Sequence, residues 1–595
     1  MAALERMRSS RPLIFAVLAL LIVYVAALAA LPKGVFLTPD EGAKYLMLHS
    51  LEVSFDGLTY RLPYGGQEID PEHRFFPHRH DESESHTFPY PLPQADGTLL
   101  FHWPIWFPLL SGFLYASLGL IGIYLLPWAC GWLIAVLSGW LAERVHRGMG
   151  PPAVVLTGLG TPVLFYSLSF WEHTTAALLG LAAVAAWAIR PGPRSYLVAC
   201  VLIVIAAFFR VDIVVLGAAL VLTAAVDAIW TIAHQPATTA GADSGWFRLG
   251  VAVVLMVLAV CIALSIYSFL PPRMYGFIEG IPELFASLPT KLEYLPRGLV
   301  AVLINETSNE GPAIEFHWAA AALAGVALCF AAPFLPRVYL EGPALLLGLA
   351  AVVAFSAFLL AGDSYRSLHG ILPIAPYGVI APYALCLAWR SGSPVLLRLA
   401  VLTLMYLVLG VAVLFISFVN PWGAMITGLE WGQRYLLPLY PLLAVMTLVA
   451  ASDYWRSQRP RLLRIGALSL IAATMVLGVF FEVRGLRMLR TNLQVFSRWD
   501  RVLRQGDPVV TDVWWLPAAL ADLLVTHEVF YVADRERLEE WGQVAEARGI
   551  RRFRLLAAGP PGADGLAQVA QYRRVKGVTS GDVFFELPQG SASGE

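Results

Sequence analysis

The sequence predicts a polytopic α-helical membrane protein of about 13 transmembrane helices, followed by a small C-terminal α/β domain. Hydrophobic residues make up 58% of the 595 residues and charged residues only 14%, against about 25% charged residues in an average soluble protein. The apolar residues form runs long enough to cross a bilayer, and residues 484–595 contain no such run. The formal net charge of −1 excludes the basic surface that nucleic-acid binding requires.

The membrane-embedded module is predicted to cover residues 1–483. Arg6, Arg8 and Arg11 precede the first apolar run, so the N-terminus is expected in the cytoplasm. An odd number of spans then places the C-terminal domain on the extracytoplasmic side. The predicted spans are 12–32, 122–141, 153–170, 172–189, 196–209, 213–231, 249–270, 315–336, 343–361, 371–389, 396–419, 435–452 and 465–481. Two of them, 153–170 and 196–209, are short for a span and are predicted to be either tilted or partly re-entrant.

A long outer loop, residues 33–102, follows the first span, and an amphipathic segment follows the loop. The segment from His102 to Leu120 contains Trp103, Trp106 and Tyr115. Because tryptophan and tyrosine favour the membrane–water interface, this segment is predicted to be an interfacial helix rather than a span.

The C-terminal domain, residues 484–595, alternates between short strand patterns and helical patterns. Strands are predicted at Val509–Trp515, Glu528–Val532, Arg552–Leu556 and Val583–Leu587, and helices at Leu516–Leu524 and Arg535–Arg548. This alternation is typical of an α/β fold. The domain contains no glycine-rich phosphate loop, and its role is open among acceptor recognition, gating and partner binding.

The first candidate for chemistry is the pair Asp40-Glu41, which follows the first span within the segment Thr38-Pro39-Asp40-Glu41. Acidic residues close to a membrane are costly and are usually functional. Transfer of a sugar to a hydroxyl needs a carboxylate that accepts the proton of the acceptor. The alternative is a helix start, with Thr38 or Asp40 as the N-cap and Pro39 as the turn former.

Two further polar groups interrupt apolar runs at predicted outer ends. Glu172 and His173 could orient an acceptor or bind a metal, or form a polar hinge between two short spans. A charged side chain such as Arg210 in an apolar run costs free energy unless it is paired. It is predicted either to bind a lipid phosphate or to pair with Asp212 or Glu172.

The segment Trp431–Pro438 opens a later span from the outer side. Arg434 and its neighbour Tyr435 suit bidentate contact with a phosphate, whereas the alternative is an aromatic anchor with a snorkelling arginine. Arg366 belongs to a weaker outer group of the same kind.

The first outer loop is rich in histidine and acidic residues. His78, His80 and Asp81 are candidate ligands for a divalent metal, but their spacing matches no zinc pattern. A solvated loop is the alternative. No other cofactor is predicted from the sequence.

In their order and placement, these motifs resemble the GT-C type glycosyltransferases, which use polyprenyl-phosphate sugars as donors. The likeness is to the protein O-mannosyltransferases and the lipid A aminoarabinose transferases (glycosyltransferase family 39-like), and it covers about residues 10–450. The segments that carry it are Asp40-Glu41, His102-Trp103-Pro104, Tyr166-Ser167 with Glu172, Arg210, and Gly432–Pro438. Glu172 stands where aspartate is commoner in the family, and the first loop is longer and richer in histidine.

This resemblance implies a bundle of about a dozen spans with its site at the outer face of a plasma membrane, in a bacterium the inner membrane. It implies Asp40 as general base with Glu41 and Glu172 as further acids. It also implies Arg434, and in second place Arg210, at the donor phosphate. The further candidates for substrate binding are Arg366, His102, His173 and Tyr435. The expected partners are the donor lipid, the bilayer and an acceptor protein, lipid or glycan. The rival functions are a lipid-linked glycan transporter or flippase and a surface polysaccharide ligase or polymerase.

Overall fold

The structure of the protein, a computed structural model, divides the chain into two compact units. The membrane unit comprises Met1–Ala30 and Tyr124–Met488, and the α/β unit comprises Leu31–Ile123 and Leu489–Glu595. The sequence assigned the loop 33–102 to the membrane module, whereas here it clusters with the C-terminal domain. The structure describes residues 2–54, 57–60, 65–76, 92–93, 99–101, 104–234, 250, 254, 286–305, 316–335, 338–361, 370–419, 431–504, 506–513, 515–532, 535–550, 552–556, 573–576 and 583–586.

Helices account for the membrane unit as far as the chain is described. Their bounds are Ala2–Ala29, Leu120–Val145, Gly150–Leu159, Val163–Ser167, His173–Ile189, Pro193–Phe209, Ile213–His234, Leu295–Val300, Phe316–Ala331, Val338–Ala361, Ile371–Ile374, Ala381–Ser391, Pro394–Phe418, Leu439–Arg456 and Arg461–Leu503. Short π and 3₁₀ turns lie at Ala301–Asn305, Ala332–Phe334, Pro376–Ile380 and Arg434–Leu436. The core of this unit is rich in large aromatic side chains, including the fully buried Tyr24, Tyr166, Trp187, Tyr377 and Tyr440.

By length and composition, five of the described helices can cross a membrane. These candidate spans are Arg11–Ala29, Leu120–Val145, Leu340–Ala361, Pro394–Ser417 and Arg461–Leu503. Seven shorter apolar helices accompany them. The chain is therefore a membrane protein of the predicted helical class. The number of 13 spans stays a prediction, and the span predicted at 249–270 lies almost wholly outside the described residues.

Two predicted spans are broken in the structure. The segment 153–170 divides between Leu159 and Val163, and Pro162 lies in the break. The segment 371–389 divides into two helices and a 3₁₀ turn, with Pro376 at the start of the turn. Proline has no backbone N–H and its ring crowds the preceding turn, which favours a break in a helix at these two places. The break in 153–170 falls in a segment for which the sequence left a partly re-entrant course open, whereas the prediction of one continuous span is wrong at 371–389.

The last helix of the bundle is much longer than predicted. The sequence ended a span at 481, but the helix Arg461–Leu503 runs on for a total of 43 residues. Charged residues lower the hydropathy beyond Val483, yet the helical spacing of apolar residues continues, and Leu489 and Leu493 are buried. Arg484 lies in this charged stretch and donates to the carbonyl oxygens of residues 359 and 360 at 3.2 Å.

The α/β unit is built around a five-stranded mixed sheet. Its strands are β5 (Val509–Thr511), β6 (Val529–Tyr531), β7 (Arg552–Leu556), β8 (Arg573–Lys576) and β9 (Val583–Glu586), in the order β6-β5-β7-β9-β8. β5 is parallel to β6 and β7, whereas β9 is antiparallel to β7 and β8. Val510 is in register with Phe530 on one side and Leu555 on the other.

The first outer loop contributes two small hairpins to the same unit. β1 (Leu51–Ser54) pairs with β2 (Gly57–Tyr60), and β3 (Leu92–Pro93) pairs with β4 (Leu99–Leu100), both antiparallel. The helices of the unit are Pro39–Ser50, Trp106–Leu118, Leu516–Ala519, Ala521–Thr526 and Arg535–Ala547. Trp106–Leu118 occupies the segment for which the sequence predicted an interfacial helix.

A buried ion pair joins three helices of the membrane unit. Arg398 Nε donates to Asp227 Oδ1 at 3.0 Å, and Arg398 Nη1 donates to the carbonyl oxygen of Ala188 at 3.2 Å. Both charged side chains are only 11% exposed. Removing one partner of a buried pair leaves an uncompensated charge, which costs more than losing the whole pair.

We therefore expect Asp227→Ala to lower the free energy of unfolding by about 3–5 kcal/mol. The double variant Asp227→Leu/Arg398→Met is expected to recover most of that loss. Thermal inactivation in detergent measures both, with Glu540→Ala, in a half-exposed pair with Arg537, as the control. If Asp227→Ala lost no more stability than Glu540→Ala, the buried pair would not contribute measurably to the stability of the fold.

Candidate functional site

The predicted site residues fall into three sets. Asp40 and Glu41 belong to the α/β unit. The described members of the membrane unit are Glu172, His173, Arg210, Arg434 and Tyr435. The others, His78, His80, Asp81, His102 and Arg366, lie outside the described residues.

The acidic pair opens a helix, as one of the two interpretations of the sequence required. We call Pro39–Ser50 the acidic helix, and Thr38 is its N-cap. The backbone N–H of Thr38 donates to Glu41 Oε2 at 3.1 Å, and Glu41 is buried. Glu41 therefore stabilises the start of the helix. Asp40 stands beside it, half-buried, in the first turn, where the helix dipole favours a negative charge.

A tight aromatic stack surrounds His173, where the chain turns into the helix His173–Ile189. The ring of Tyr166 stacks on His173 and on Trp171, each with a centroid separation of 5.3 Å. All three side chains are buried. Trp171 and His173 are the chain neighbours of Glu172, and both are packed on Tyr166. This packing fixes the backbone from which the Glu172 carboxylate extends.

Arg210 forms both of the ion pairs that the sequence left open. Its Nη1 donates to Glu172 Oε1 at 2.7 Å and its Nε donates to Asp212 Oδ1 at 2.6 Å. The arginine side chain is 16% exposed and Glu172 is 5% exposed. Arg210 ends the helix Pro193–Phe209, so these contacts tie that helix end to the break before His173. Two carboxylates around one guanidinium meet the requirement that a charge in an apolar environment be compensated.

The second arginine lies on aromatic faces. The guanidinium carbon of Arg434 is 4.7 Å from the ring centre of Trp171 and 5.0 Å from that of Tyr435. Arg434 Nη2 also donates to the hydroxyl oxygen of Tyr435 at 3.0 Å. Arg210 approaches the same tyrosine ring at 5.2 Å. The ring of Tyr435 thus contacts two guanidinium groups, although Arg210 and Arg434 are far apart in the sequence.

The segment that carries Arg434 is held by two tyrosine hydroxyls. The backbone N–H of Trp431 donates to Tyr166 Oη at 3.3 Å, and the backbone N–H of Gln433 donates to Tyr440 Oη at 2.8 Å. Trp431, Gln433 and Tyr440 are fully buried. These contacts replace the regular backbone pairing that a helix would supply, so a non-helical segment is stable inside the bundle.

Sequence reasoning did not assign a role to Trp171, Tyr166 or Tyr440. Trp171 directly precedes Glu172, Tyr166 belongs to a segment that carries the family resemblance, and Tyr440 follows Pro438 by two residues. Aromatic residues clustered next to the charged positions were the available signal. Their pairing across the bundle is a property of the fold and could not be read from spacing.

Within the parts of the chain that the structure describes, no group of three or more His, Cys, Asp or Glu side chains is suited to hold a metal ion. The metal candidates of the first loop, His78, His80 and Asp81, lie outside those parts. A metal site therefore stays a prediction for that loop alone.

Comparison with known proteins finds similar solved structures. The chain is similar to ArnT, the lipid A aminoarabinose transferase, from Cupriavidus metallidurans in its apo state, at 13% identity, 98% coverage of both chains and a TM-score of 0.46. The same enzyme bound to undecaprenyl phosphate gives a TM-score of 0.45 at 13% identity, with 98% of this chain and 99% of that chain covered. The aminoarabinose transferases that the sequence resembles are thus among the structures found.

A third similar structure is the archaeal oligosaccharyltransferase AglB from Archaeoglobus fulgidus, in complex with an inhibitory peptide and a dolichol-phosphate. The identity is 10% and the TM-score 0.45, with 91% of this chain and 69% of that chain covered. No protein-family model matches the sequence, and no curated protein matches it. The roles of individual residues therefore rest on the geometry of this chain.

Gly432 permits the turn that presents Arg434. Its φ is +68°, and a Cβ there would lie 2.7 Å from Pro162 Cγ and 3.1 Å from Tyr440 Oη. We expect Gly432→Ala to lower the free energy of unfolding by at least about 1–2 kcal/mol, since an L-residue is strained in this conformation. Thermal inactivation in detergent measures the loss, and Gly192→Ala, with open space around the added Cβ, is the control. Equal stability of the two variants would contradict a strained turn.

Proposed function

We propose that the protein is a membrane glycosyltransferase that moves a sugar from a polyprenyl-phosphate donor to an acceptor hydroxyl. The acceptor is a protein, a lipid or a glycan. The proposed site is at the outer face of a plasma membrane, with the N-terminus in the cytoplasm and the C-terminal domain outside.

The observation that carries this proposal is the convergence of Arg210 and Arg434 on Tyr435, at 5.2 and 5.0 Å from the ring centre. Charged residues inside a membrane protein are costly and usually functional, and two guanidinium groups on one ring offer several N–H donors to an anionic headgroup. Arg210 contacts two carboxylates, and Arg434 packs on the rings of Trp171 and Tyr435. As the family resemblance implies, Arg434 is the proposed ligand of the donor phosphate, and Arg210 supports it.

Aromatic packing leaves the planar edge of a guanidinium able to donate hydrogen bonds. That edge matches two phosphate oxygens in a bidentate contact. Negative charge develops on the phosphate as its bond to the sugar breaks, so a preorganised guanidinium stabilises the transition state more than the bound donor. Glu172 and His173 keep Arg210 oriented, and Tyr435 orients Arg434 through its ring and hydroxyl.

Asp40 is the proposed general base. In the reaction the acceptor oxygen attacks the anomeric carbon, the bond from that carbon to the phosphate oxygen breaks, and polyprenyl phosphate leaves. The acceptor proton passes to the Asp40 carboxylate. Direct displacement of this kind inverts the anomeric configuration. The role of Glu41 is to hold the first turn through Thr38, which supports the neighbouring carboxylate.

We expect Asp40→Asn to reduce sugar transfer by about 10²–10⁴-fold, because general base catalysis contributes on that order. Purified protein in nanodiscs is assayed with polyprenyl-phosphate mannose and polyprenyl-phosphate aminoarabinose as donors. Glu52→Gln makes the same carboxyl-to-amide change at an exposed position and serves as the matched control.

Turnover that survives in Asp40→Asn would remove Asp40 from the mechanism. Absence of turnover in the unmodified protein with every donor, together with donor scrambling between leaflets, would instead support the transporter alternative.

We expect Arg434→Ala to weaken donor binding by about 10–100-fold, the value of one or two hydrogen bonds to a charged group. Arg434→Lys is expected to recover only part of the affinity, since an ammonium group cannot make the bidentate contact. Binding of the radiolabelled donor measures the effect, and the exposed Arg190, changed to Ala, is the control. An equal loss of acceptor binding would point to a purely structural role for Arg434.

A further inference from the structure

The acidic helix approaches the C-terminal domain too closely for any side chain at one position. A Cβ placed on Gly42 would lie 1.6 Å from the carbonyl oxygen of Ala518, far inside van der Waals contact. Ala518 belongs to the short helix Leu516–Ala519, and Ala43 and Ala518 are fully buried together. The two backbones therefore touch directly, and this contact lies two residues after Asp40.

A series of side-chain hydrogen bonds also attaches the acidic helix to the C-terminal domain, further along the helix. The hydroxyl of Tyr45 donates to Asp522 Oδ1 at 2.9 Å. Asp522 Oδ2 accepts from Arg504 Nη2 at 2.6 Å, and Arg504 also contacts both oxygens of Asp500 at 2.9 Å. Burial, and then the negative charge of Asp522, raises the pKa of the Tyr45 hydroxyl, so this group stays a donor at neutral pH.

The chain is attached on the other side of Asp40 as well. The backbone N–H of Phe36 donates to the carbonyl oxygen of Ala519 at 2.9 Å. The rings of Phe36 and Tyr45 lie 5.1 Å apart, and both side chains are buried. Asp40 thus lies between two points, residues 36 and 42, that bind the same segment of the C-terminal domain. Its backbone cannot shift without breaking contacts to that segment.

We propose that the C-terminal domain positions the Asp40 carboxylate, with Gly42, Tyr45 and Asp522 as positioning residues. The inference rests on the proposed function, in which Asp40 accepts the acceptor proton. It assigns a task to the C-terminal domain that differs from acceptor recognition, gating and partner binding. A misplacement of about 1 Å in a reacting group lowers the rate on the order of 10²-fold, so small displacements of the acidic helix are enough to slow transfer.

A positioning role predicts a change in turnover but not in donor affinity. The arginines proposed to hold the donor phosphate belong to the membrane unit, whereas the positioning residues and Asp40 belong to the α/β unit. Changing a positioning residue is therefore expected to lower turnover while leaving donor affinity unchanged. A residue with only a structural role behaves differently. Its loss reduces the number of molecules that bind donor and leaves the turnover of each bound molecule unaltered.

The experiment measures turnover per donor-binding site in the full-length protein in nanodiscs. Donor sites are counted with radiolabelled polyprenyl-phosphate mannose or aminoarabinose, whichever supports transfer. We expect Tyr45→Phe and Asp522→Asn to lower turnover per site about tenfold and Gly42→Ala about 10²-fold, each with unchanged donor affinity. Gly112→Ala is the matched control, since its Cβ meets only Leu48 Cγ at 3.9 Å.

The possible outcomes distinguish a positioning role from a structural role. Unchanged turnover per site in Tyr45→Phe and Asp522→Asn would overturn the positioning role, even where Gly42→Ala fails to fold. A reduced number of donor sites with normal turnover per site would overturn it too, in favour of a structural role. Active unmodified protein with unaffected variants refutes this inference alone, whereas inactivity of the unmodified protein with every donor refutes the proposed function, and the inference with it.

Discussion

The membrane unit depends on one constraint, which is that a charge in an apolar interior must be met by a partner. Its buried arginines satisfy this constraint mostly across long sequence distances, and Arg210 also pairs with Asp212, two residues away. A bundle of apolar helices has little to fix the rotation of one helix against another, because lipid and side chain are equally apolar. The ion pairs supply that specificity. They are Arg210 with Glu172 and Asp212, Arg398 with Asp227, and Arg459 with Glu341.

The same constraint shapes the candidate site. The site is a polar cluster inside an apolar bundle, so its charges are compensated by carboxylates around Arg210 and by aromatic faces around Arg434. Cation–π contacts hold the Arg434 guanidinium between the rings of Trp171 and Tyr435. The tyrosine hydroxyls that hold Trp431 and Gln433 make the arrangement rigid before binding.

In the α/β unit the governing contact is between two backbones. Gly42 and Ala518 meet where no side chain fits, and backbone hydrogen bonds at Phe36 and Phe75 attach the first loop to the C-terminal domain. Backbone contacts are insensitive to most side-chain changes, so a loop and a domain distant in sequence form one compact body. The unit therefore carries Asp40 on a supported helix rather than on a free loop, which is the arrangement that catalytic precision requires.

The sequence by itself determined the class of the protein, because hydropathy runs and helix-start residues are local signals. It located the acidic pair behind the first span and offered a helix start there with Thr38 or Asp40 as N-cap, of which the structure has Thr38. It placed the strands β5, β6, β7 and β9 within one or a few residues. It missed the helix break at Pro162 and the continuation of the last helix beyond Val483. Only the tertiary structure decided which partners Arg210 takes, that Tyr435 gathers two arginines, and that Gly42 meets Ala518. Arg210 with Glu172, Arg210 with Tyr435 and Gly42 with Ala518 are tens to hundreds of positions apart. Local patterns carry no information about which distant residues pack together.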